Sequence, residues 1–273
     1  MKKFEGLLLC TDLDGTLLNS ERQVSRENRE AIDYFKSEGG YFTFITGRMP
    51  FSSGQIFDMV KPNAPFGCIN GGGIYDGFAQ KYLYMRELPM SVLDLVKETV
   101  EEIDGVGVQV SHFDKIYFCQ GNEAMANFKI PTGVPFLTKS LDEINEPIGK
   151  ILFGTIHEEI MIKLEKFLRT HPRANEFHFV RSEQTLFEIL PKDTNKGTLL
   201  PEFEKILGIK REKIIAVGDY NNDIAMIQAA GLGIAVSNAV PEAKAAADLV
   251  TVSNDEHAIA KIINDLDAGL ISV

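Results

Sequence analysis

Short apolar runs bounded by polar residues dominate the start of the chain. Residues 7–10 form a continuous apolar stretch, which is typical of a strand buried on both faces of a parallel sheet. Ser25 is a suitable N-cap, and the segment after it predicts a helix that ends at Gly39-Gly40. A second apolar run follows at residues 41–45. The pattern predicts a β-α-β unit.

The same alternation of strands and helices returns near the other end of the chain. The chain is therefore predicted to have two separate blocks of α/β structure, one near each end, that flank a different middle segment. The predicted strands cover residues 214–217, 233–236 and 249–252, and the predicted helices cover 195–207, 223–230, a short segment near Pro241 and a last segment from about Asp255.

Between about residues 83 and 188 the pattern changes. Here it predicts two helices on one face of a mostly antiparallel sheet, an α+β insert of about a hundred residues. One predicted helix starts at Ser91, and the other covers 157–169. The predicted strands cover 106–110, 115–119, 150–156, 177–181 and 185–190.

Length and charge narrow the class of protein. At roughly 150 residues per domain, the 273 residues predict two domains. The 28 basic and 39 acidic residues give a net charge of −11, which lacks the clustered positive charge that nucleic acid binding requires. We therefore expect a small-molecule or protein partner and no nucleic acid.

Cysteines and apolar spans bear on the compartment. Cys10, Cys68 and Cys119 are far apart and show no CxxC spacing, which predicts buried free thiols in a reducing compartment. The apolar run near the N-terminus stops after four residues, and the chain has no 18-residue apolar span. We expect a cytoplasmic protein that does not bind membranes.

Two carboxylates follow the first predicted strand, in the sequence Asp12-Leu13-Asp14-Gly15-Thr16. In extended backbone, residues i and i+2 point to the same side. Ligands of open α/β sheets bind at the carboxyl ends of the strands, so both acids would face one crevice. Capping of a loop by Asp and Thr is the alternative interpretation.

Anion-binding groups follow at two other places. The second predicted strand leads into Thr46-Gly47-Arg48, a turn whose hydroxyl and backbone N–H groups can hold an anion; simple turn chemistry is the alternative. Lys196 stands at the start of a predicted helix, where the helix dipole disfavours a cation. An anion in the same site would explain this lysine.

A third acidic cluster, with Asp219 and Asp223, directly follows the strand predicted over 214–217. If that strand lies beside the first, both residues face Asp12 and Asp14. Carboxylates so close together repel one another unless a cation is present, and oxygen ligands favour Mg²⁺. Helix capping is the alternative role of the pair.

In this order, the four motifs resemble those of the haloacid dehalogenase-like superfamily of phosphohydrolases. The insert resembles the type IIB cap of the Cof-type sugar-phosphate phosphatases, and Asn70-Gly71 resembles an Asn-Gly loop of that subfamily. The resemblance implies a Rossmann-like doubly wound parallel-sheet core over 1–83 and 188–273, with an inserted α+β cap over 84–187. One departure is Asp255-Glu256-His257, near the last helix, where members of the family often carry a Gly.

The resemblance also implies a role for each residue of the motifs. Asp12 would be the nucleophile that forms an aspartyl-phosphate, and Asp14 would be the general acid and base, with its backbone carbonyl on Mg²⁺. Thr46 and Lys196 would bind the phosphate oxygens of the substrate.

The remaining implied roles concern the metal and the substrate. Asp12 would also be a metal ligand, Asp219 would ligate Mg²⁺ directly, and Asp223 would bind it through water or orient a neighbour. Asn222 would reach the phosphate or its lysine. Gly47, Arg48 and Asn70 are also assigned to the substrate side of the site.

The resemblance predicts an Mg²⁺-dependent phosphomonoesterase that acts on small phosphorylated metabolites, such as sugar phosphates or cofactor phosphates. A phosphosugar mutase on the same scaffold and a non-enzymatic phosphoaspartate switch are the alternatives. In the cap, the candidate contacts to the leaving group are Lys150 and Arg181, and weaker candidates are His112, Lys115 and Tyr117; for Lys150 and Arg181, an ordinary surface charge is the alternative.

Overall fold

Strands and helices alternate at both ends of the chain, as the apolar runs predict. The computed structural model describes residues 2–126 and 137–273. The strands are β1 Leu8–Thr11, β2 Tyr41–Phe44, β3 Phe66–Cys68, β4 Gly73–Asp76, β5 Lys81–Met85, β6 Gly107–Ser111, β7 Ile116–Gln120, β8 Leu137–Thr138, β9 Lys150–Gly154, β10 Phe177–Glu183, β11 Leu186–Pro191, β12 Ile214–Gly218, β13 Leu232–Ala235 and β14 Leu249–Val250. The helices are α1 Arg26–Ser37, α2 Gly54–Val60, α3 Val92–Glu102, α4 Glu123–Ala126, α5 Glu158–Thr170, α6 Leu200–Leu207, α7 Ile224–Ala229, α8 Pro241–Ala246 and α9 Ala258–Asp267.

Contacts divide the chain into two units. The first comprises Met1–Gly47, Ser53–Leu83 and Asn195–Val273, and the second comprises Arg48–Ser52 and Tyr84–Thr194. The predicted borders of core and cap, 1–83 with 188–273 and 84–187, stay a prediction.

A five-stranded sheet forms the centre of the first unit. Its strand order is β14-β13-β12-β1-β2, and every pair is parallel. β12 lies directly beside β1, with Leu8 opposite Ile214 and Thr11 opposite Val217. Both strands are buried along their whole length, as continuous apolar runs predict. The two acidic motifs are predicted to meet if the strand over 214–217 lies beside the first strand, and β12 does lie beside β1.

Helix α1 shows why the local sequence folds as it does. Ser25 is its N-cap, and the Ser25 hydroxyl accepts a hydrogen bond from the Asn28 N–H at 3.2 Å. Ile32 and Phe35 are buried, and α1 packs against α9. The predicted cap and the predicted apolar face are confirmed.

Several predicted helices begin with a tighter turn than expected. A 3₁₀ turn at Lys196–Leu199 precedes α6, another at Asn221–Asp223 precedes α7, and a third at Asn254–Glu256 precedes α9. Such turns are common at helix starts. The strand predicted over 249–252 is shorter, ending at Val250.

A small three-stranded sheet, β3-β4-β5, was not expected from the sequence. Ile45, just after β2, makes a parallel bridge to Gly67 in β3, and the rings of Phe44 and Phe66 lie 4.6 Å apart. The segment Ile69–Gly71 between β3 and β4 therefore starts close to the end of β2.

The second unit contains a six-stranded sheet of order β10-β11-β9-β6-β7-β8. Its strands are antiparallel except for the β7–β8 pair. Apolar residues of α3 and α5 share one core with one face of this sheet; from the helices these are Val92, Leu93, Leu95, Val96, Met161, Leu164 and Leu168. The predicted α+β insert, and with it the α/β fold class, is confirmed.

The three cysteines are free thiols. Cys10 and Cys68 are buried, as predicted, whereas Cys119 is only half-buried. The prediction is wrong for Cys119 because this residue packs at the margin of the core of the second unit. Among the described residues, no helix combines the length and the apolar character that a membrane span requires.

His257 holds a left-handed backbone conformation at the start of α9, with φ 63° and ψ 50°. A side chain with a Cβ pays a steric penalty of about 1–2 kcal/mol in this conformation, and glycine does not. The His257 Nδ1 atom is also buried without a hydrogen-bond partner among the described residues. The segment 255–257, which departs from the family pattern, therefore ends in a residue with a strained backbone.

We expect His257→Gly to raise the free energy of unfolding by about 0.5–1 kcal/mol, because relief of the steric penalty outweighs the extra freedom of glycine in the unfolded chain. The measurement is urea unfolding followed by circular dichroism. His257→Ala is the matched control, since it removes the imidazole and keeps the Cβ. An alanine variant as stable as the glycine variant would contradict the backbone explanation.

Candidate active site

The site forms where β1, β2 and β12 end. Parallel strands bring their carboxyl ends to one edge of the sheet. Asp12 directly follows β1, and its N–H donates to the Val217 carbonyl at 2.8 Å. Asp219 directly follows β12, and Thr46 lies two residues beyond β2. The motifs at positions 12, 46 and 219 thus follow three adjacent strands.

Lys196 joins two of these carboxylates. Its Nζ donates to Asp12 Oδ1 and to Asp223 Oδ1, each at 2.5 Å, and the lysine side chain is fully buried. Asn195 caps the turn that carries the lysine, because the Asn195 Oδ1 accepts from the Thr198 N–H at 3.1 Å. The sequence predicts an anion beside Lys196, and the described structure supplies two carboxylates in that position.

Asp223 orders its own loop as well as the lysine. Its Oδ2 accepts hydrogen bonds from the N–H groups of Asp219, at 2.9 Å, and Tyr220, at 3.1 Å. The residue is completely buried. Because these bonds fix the backbone at Asp219, Asp223 couples the position of Lys196 to that of Asp219.

Thr16 and Gly15 fix the carboxylate of Asp219 from the side of β1. The Thr16 hydroxyl donates to Asp219 Oδ1 at 2.7 Å. Gly15 has φ +82°, and a Cβ at this position would lie 2.5 Å from Asp219 Oδ2. Only glycine allows both this backbone conformation and this close approach. Thr16 belongs to the first motif of the sequence, but its role in orienting Asp219 was not predicted. Its place in that motif, two residues after Asp14, was the available indication.

Burial dominates the electrostatics of the site. It raises the pKa of Asp12 well above its usual range, Lys196 opposes this shift, and the neighbouring carboxylates add to it. Burial and the charge of Asp223 raise the pKa of Asp219 to about 7. Burial disfavours the charged form of Lys196, but Asp12 and Asp223 outweigh it and raise the pKa of the ammonium. The single ammonium of Lys196 therefore does not balance the carboxylates around it.

Asp12, Asp219 and Asp223 form a group that could hold a metal ion, since one carboxylate oxygen from each lies within 4.8 Å of the others. When all three carboxylates are ionised, the ammonium of Lys196 leaves two of their negative charges uncompensated, and a bound cation would favour this ionised form. A hard divalent cation matches both this charge and the oxygen ligands. The donor set therefore fits a divalent metal ion.

Asp14 stands at the margin of this group. It is half-buried and makes a bridge to Leu18 in the turn after β1. Its charge adds to the repulsion at Asp12 and Asp219. Its side chain is outside the group of three carboxylates, and the predicted metal contact through its backbone carbonyl stays a prediction.

Four of the predicted phosphate-side residues lie together in the first unit. Thr46 is buried, and its carbonyl accepts from the Asn70 N–H at 3.1 Å. The Asn70 Oδ1 accepts from Asn222 Nδ2 at 3.0 Å, and the Asn70 amide lies over Gly47. Their binding roles stay predictions.

Arg48 belongs to the second unit, where its Nη1 donates to the Ser52 carbonyl at 3.5 Å. Its assignment to the substrate also stays a prediction.

The candidate contacts of the second unit are engaged in ion pairs. Lys150 pairs with Glu188 at 2.9 Å, with 7% and 2% of the side chains exposed. Arg181 pairs with Glu158 at 2.6 Å. The alternative that Lys150 is an ordinary surface charge is wrong, because its strand lies inside the sheet beside β11, which supplies Glu188. Sequence reasoning missed Glu188, which lies 38 residues away.

The weaker candidates of this unit also have partners. His112 contacts Asp114 at 2.6 Å, and Lys115 contacts Glu146 at 3.3 Å. The Lys115 ammonium lies 5.9 Å from the centre of the Tyr117 ring. The assignment of these three side chains to the leaving group stays a prediction.

Comparison with known proteins agrees with this geometry. A family model described as haloacid dehalogenase-like hydrolase matches residues 9–263. The Bacillus subtilis 5-amino-6-(5-phospho-D-ribitylamino)uracil phosphatase YwtE is 31% identical over 286 residues, covering 96% of this chain and 98% of the relative. Phosphatase YwpJ of the same organism is 29% identical over 287 residues, covering 95% and 99%.

A solved structure extends the similarity to the inserted domain. The sugar phosphatase BT4131, of haloacid dehalogenase subclass IIB, aligns with a TM-score of 0.81 at 25% identity, covering 97% of this chain and 100% of that chain. The chain therefore belongs to the haloacid dehalogenase-like hydrolases, as a Cof-type phosphatase of small phosphorylated compounds.

Proposed function

We propose that the protein is an Mg²⁺-dependent phosphomonoesterase that works through an aspartyl-phosphate on Asp12. One observation carries this proposal: the buried Lys196 ammonium binds one oxygen of Asp12 and holds the carboxylate in a fixed orientation. A fixed carboxylate can attack without losing further freedom, and such positioning is a large part of phosphoryl-transfer catalysis.

In the first step, Asp12 Oδ2 attacks the phosphorus atom of the substrate, and the ester P–O bond breaks. The Asp14 carboxyl group gives its proton to the leaving oxygen, so that the product departs as an alcohol. Lys196 and the Thr46 hydroxyl donate to the nonbridging oxygens, over which the charge spreads. An ammonium has three N–H donors, and the carboxylates of Asp12 and Asp223 take two of them.

In the second step, the Asp14 carboxylate removes a proton from a water molecule. The resulting hydroxide attacks the phosphorus atom, and the bond between phosphorus and Asp12 breaks. Phosphate is released, Asp12 is again a carboxylate, and Asp14 is again protonated. The half-buried position of Asp14 outside the group of three carboxylates supports a separate role for it.

Asp12 and Asp219 would hold the metal, with the backbone carbonyl of Asp14 and with Asp223 directly or through water. When bound, Mg²⁺ supplies positive charge that offsets the phosphate and the carboxylates. The two uncompensated charges of the cluster and its oxygen donors support this assignment.

For the substrate, we propose a sugar phosphate or a cofactor-related phosphate. The names of the relatives support this class, since one is a sugar phosphatase and another acts on a phospho-D-ribitylamino compound. A phosphosugar mutase would use the same residues, and a product assay separates the two: free phosphate indicates the hydrolase, and an isomerised phosphosugar indicates the mutase. The phosphatase relatives speak against the phosphoaspartate switch.

We further propose that the second unit acts as a cap that contacts the leaving group and excludes water. Its α+β architecture and the subclass IIB relative support this role. We also propose that the enzyme is cytoplasmic and acts on free metabolites, without nucleic acid or membrane partners.

We expect Asp12→Asn to lower phosphate release by about 10⁴-fold or more, because an amide is a poor nucleophile. The measurement is phosphate release from a panel of phosphorylated sugars, nucleotides and cofactors, with and without Mg²⁺. Asp33→Asn, the same change on the exposed side of α1, is the matched control and should keep the wild-type rate. Folded Asp12→Asn protein with near wild-type activity would refute the nucleophile.

Asp14→Asn should separate the two chemical steps. With a sugar phosphate we expect a loss of about 10²–10⁴-fold, the usual contribution of a general acid or base. With 4-nitrophenyl phosphate, whose leaving group departs without a proton, we expect a burst of nitrophenolate followed by slow turnover. Mass spectrometry should detect phosphorylated protein in that phase. A wild-type rate on both substrates would refute the role of Asp14.

Asp219→Ala should raise the Mg²⁺ concentration for half-maximal activity by about 10–100-fold or more, since it removes a metal ligand. A second readout is the rise in Tm on addition of Mg²⁺, which should shrink because the metal stabilises only the protein that binds it. Asp76→Ala is the control; Asp76 is the last residue of β4, and its carboxylate accepts a hydrogen bond from Phe78 N–H. An unchanged Mg²⁺ titration for Asp219→Ala would contradict the assignment.

A further inference from the structure

The segment Ile69–Gly71, here named the Asn70 loop, has an unusual backbone. Three consecutive residues have positive φ: Ile69 at 56°, Asn70 at 50° and Gly71 at 103°. A β-branched residue such as isoleucine rarely adopts this conformation. Strain of this kind persists only where the surrounding structure enforces it, and it concentrates at functional sites.

Asn70 contacts two loops of the catalytic centre at once. Its N–H donates to the Thr46 carbonyl at 3.1 Å, and its Oδ1 accepts from Asn222 Nδ2 at 3.0 Å. Its side-chain amide lies directly over Gly47, where an added Cβ would be 2.8 Å from Asn70 Nδ2. Only 1% of the residue is exposed.

Gly71 brings the same loop against a third part of the centre. A Cβ on Gly71 would lie 2.1 Å from the Asn195 carbonyl oxygen, so the two backbones are in contact. Asn195 caps the turn that carries Lys196. The Asn70 loop therefore touches the turn after β2, the loop after β12 and the turn of the lysine.

We propose that Asn70 is a positioning residue that acts through Asn222. Its amide oxygen holds the Asn222 side chain beside the catalytic carboxylates, and its left-handed backbone allows the loop to contact Thr46 and Asn195 at the same time. This inference rests on the proposed function, since its consequence for catalysis requires that the centre transfers phosphate.

The test is a double-mutant cycle with Asn70→Gly, Asn222→Ala and the double variant. Glycine keeps the left-handed conformation and removes the amide, so the variant tests the side chain alone. The assay measures kcat and KM for 4-nitrophenyl phosphate in the presence of Mg²⁺. Thermal unfolding of all four proteins gives a second cycle that needs no activity.

We expect Asn70→Gly to lower kcat by about 10–100-fold, the size of the effect that a misplacement of about 1 Å produces, with KM changed less than 3-fold. Because Asn70 acts through Asn222, the double variant should stay within about 3-fold of the Asn222→Ala variant. The loss of Tm in the double variant should also be smaller than the sum of the two single losses.

Two further variants separate positioning from a general effect on folding. Asn63→Ala is the matched control, because the Asn63 side chain also bonds two backbone groups, at Gly40 and Phe42, which lie at the amino end of β2 and not at the carboxyl ends of the strands. It should lower Tm and leave kcat unchanged. Asn70→Ala should have a lower Tm than Asn70→Gly, since alanine disfavours the left-handed backbone.

Losses of kcat that multiply in the double variant would overturn the proposal, because Asn70 would then act independently of Asn222. A higher KM with unchanged kcat would also overturn it, since that result indicates direct substrate binding. If the wild type releases no phosphate in an Asp12-dependent manner, the proposed function fails and the thermal cycle decides: Tm losses that add would overturn the inference, and coupled losses would support it.

Discussion

The burial of one ammonium among carboxylates is the interaction on which the rest of this structure depends. Lys196 is fully buried and binds both Asp12 and Asp223. A buried charge is stable only when it is paired and hydrogen-bonded, so the loops that carry all three residues must meet. Removal of one partner would leave an uncompensated charge inside the protein, at a cost of about 3–5 kcal/mol.

The parallel sheet makes this meeting possible. β12, β1 and β2 lie side by side and end at the same edge, so short loops from each strand reach one point. Residues of these loops then fix one another. Asp223 orders its own loop and Lys196, and Thr16 orients Asp219. The Asn70 loop contacts the turn after β2 and the loop after β12. The chemistry of the centre thus rests on hydrogen bonds between loops rather than on any single motif.

The sequence was sufficient to predict the core of the fold and the carboxylates of the site. Continuous apolar runs identified β1, β2 and β12, and the polar residues at their ends located Asp12 and Asp219, because the geometry of parallel sheets is regular. The strands β3 and β4 are short and each contains a glycine, so neither forms a continuous apolar run like the one at β1. The burial of Lys150 and the contact between Asn70 and Asn222 depend on partners 38 and 152 residues away, which no local pattern encodes.

The position of β1 has a consequence for synthesis of the chain. Its partner β2 follows closely, whereas its other neighbour, β12, follows roughly 200 residues later. At about 5–20 residues per second, the ribosome needs on the order of 10–40 s to supply that neighbour. For this time a strand that is wholly buried in the finished protein exposes one edge, which is a template for aggregation. A chain released before β12 has neither Asp219 nor Asp223, so incomplete products are at once prone to aggregate and without a complete catalytic centre.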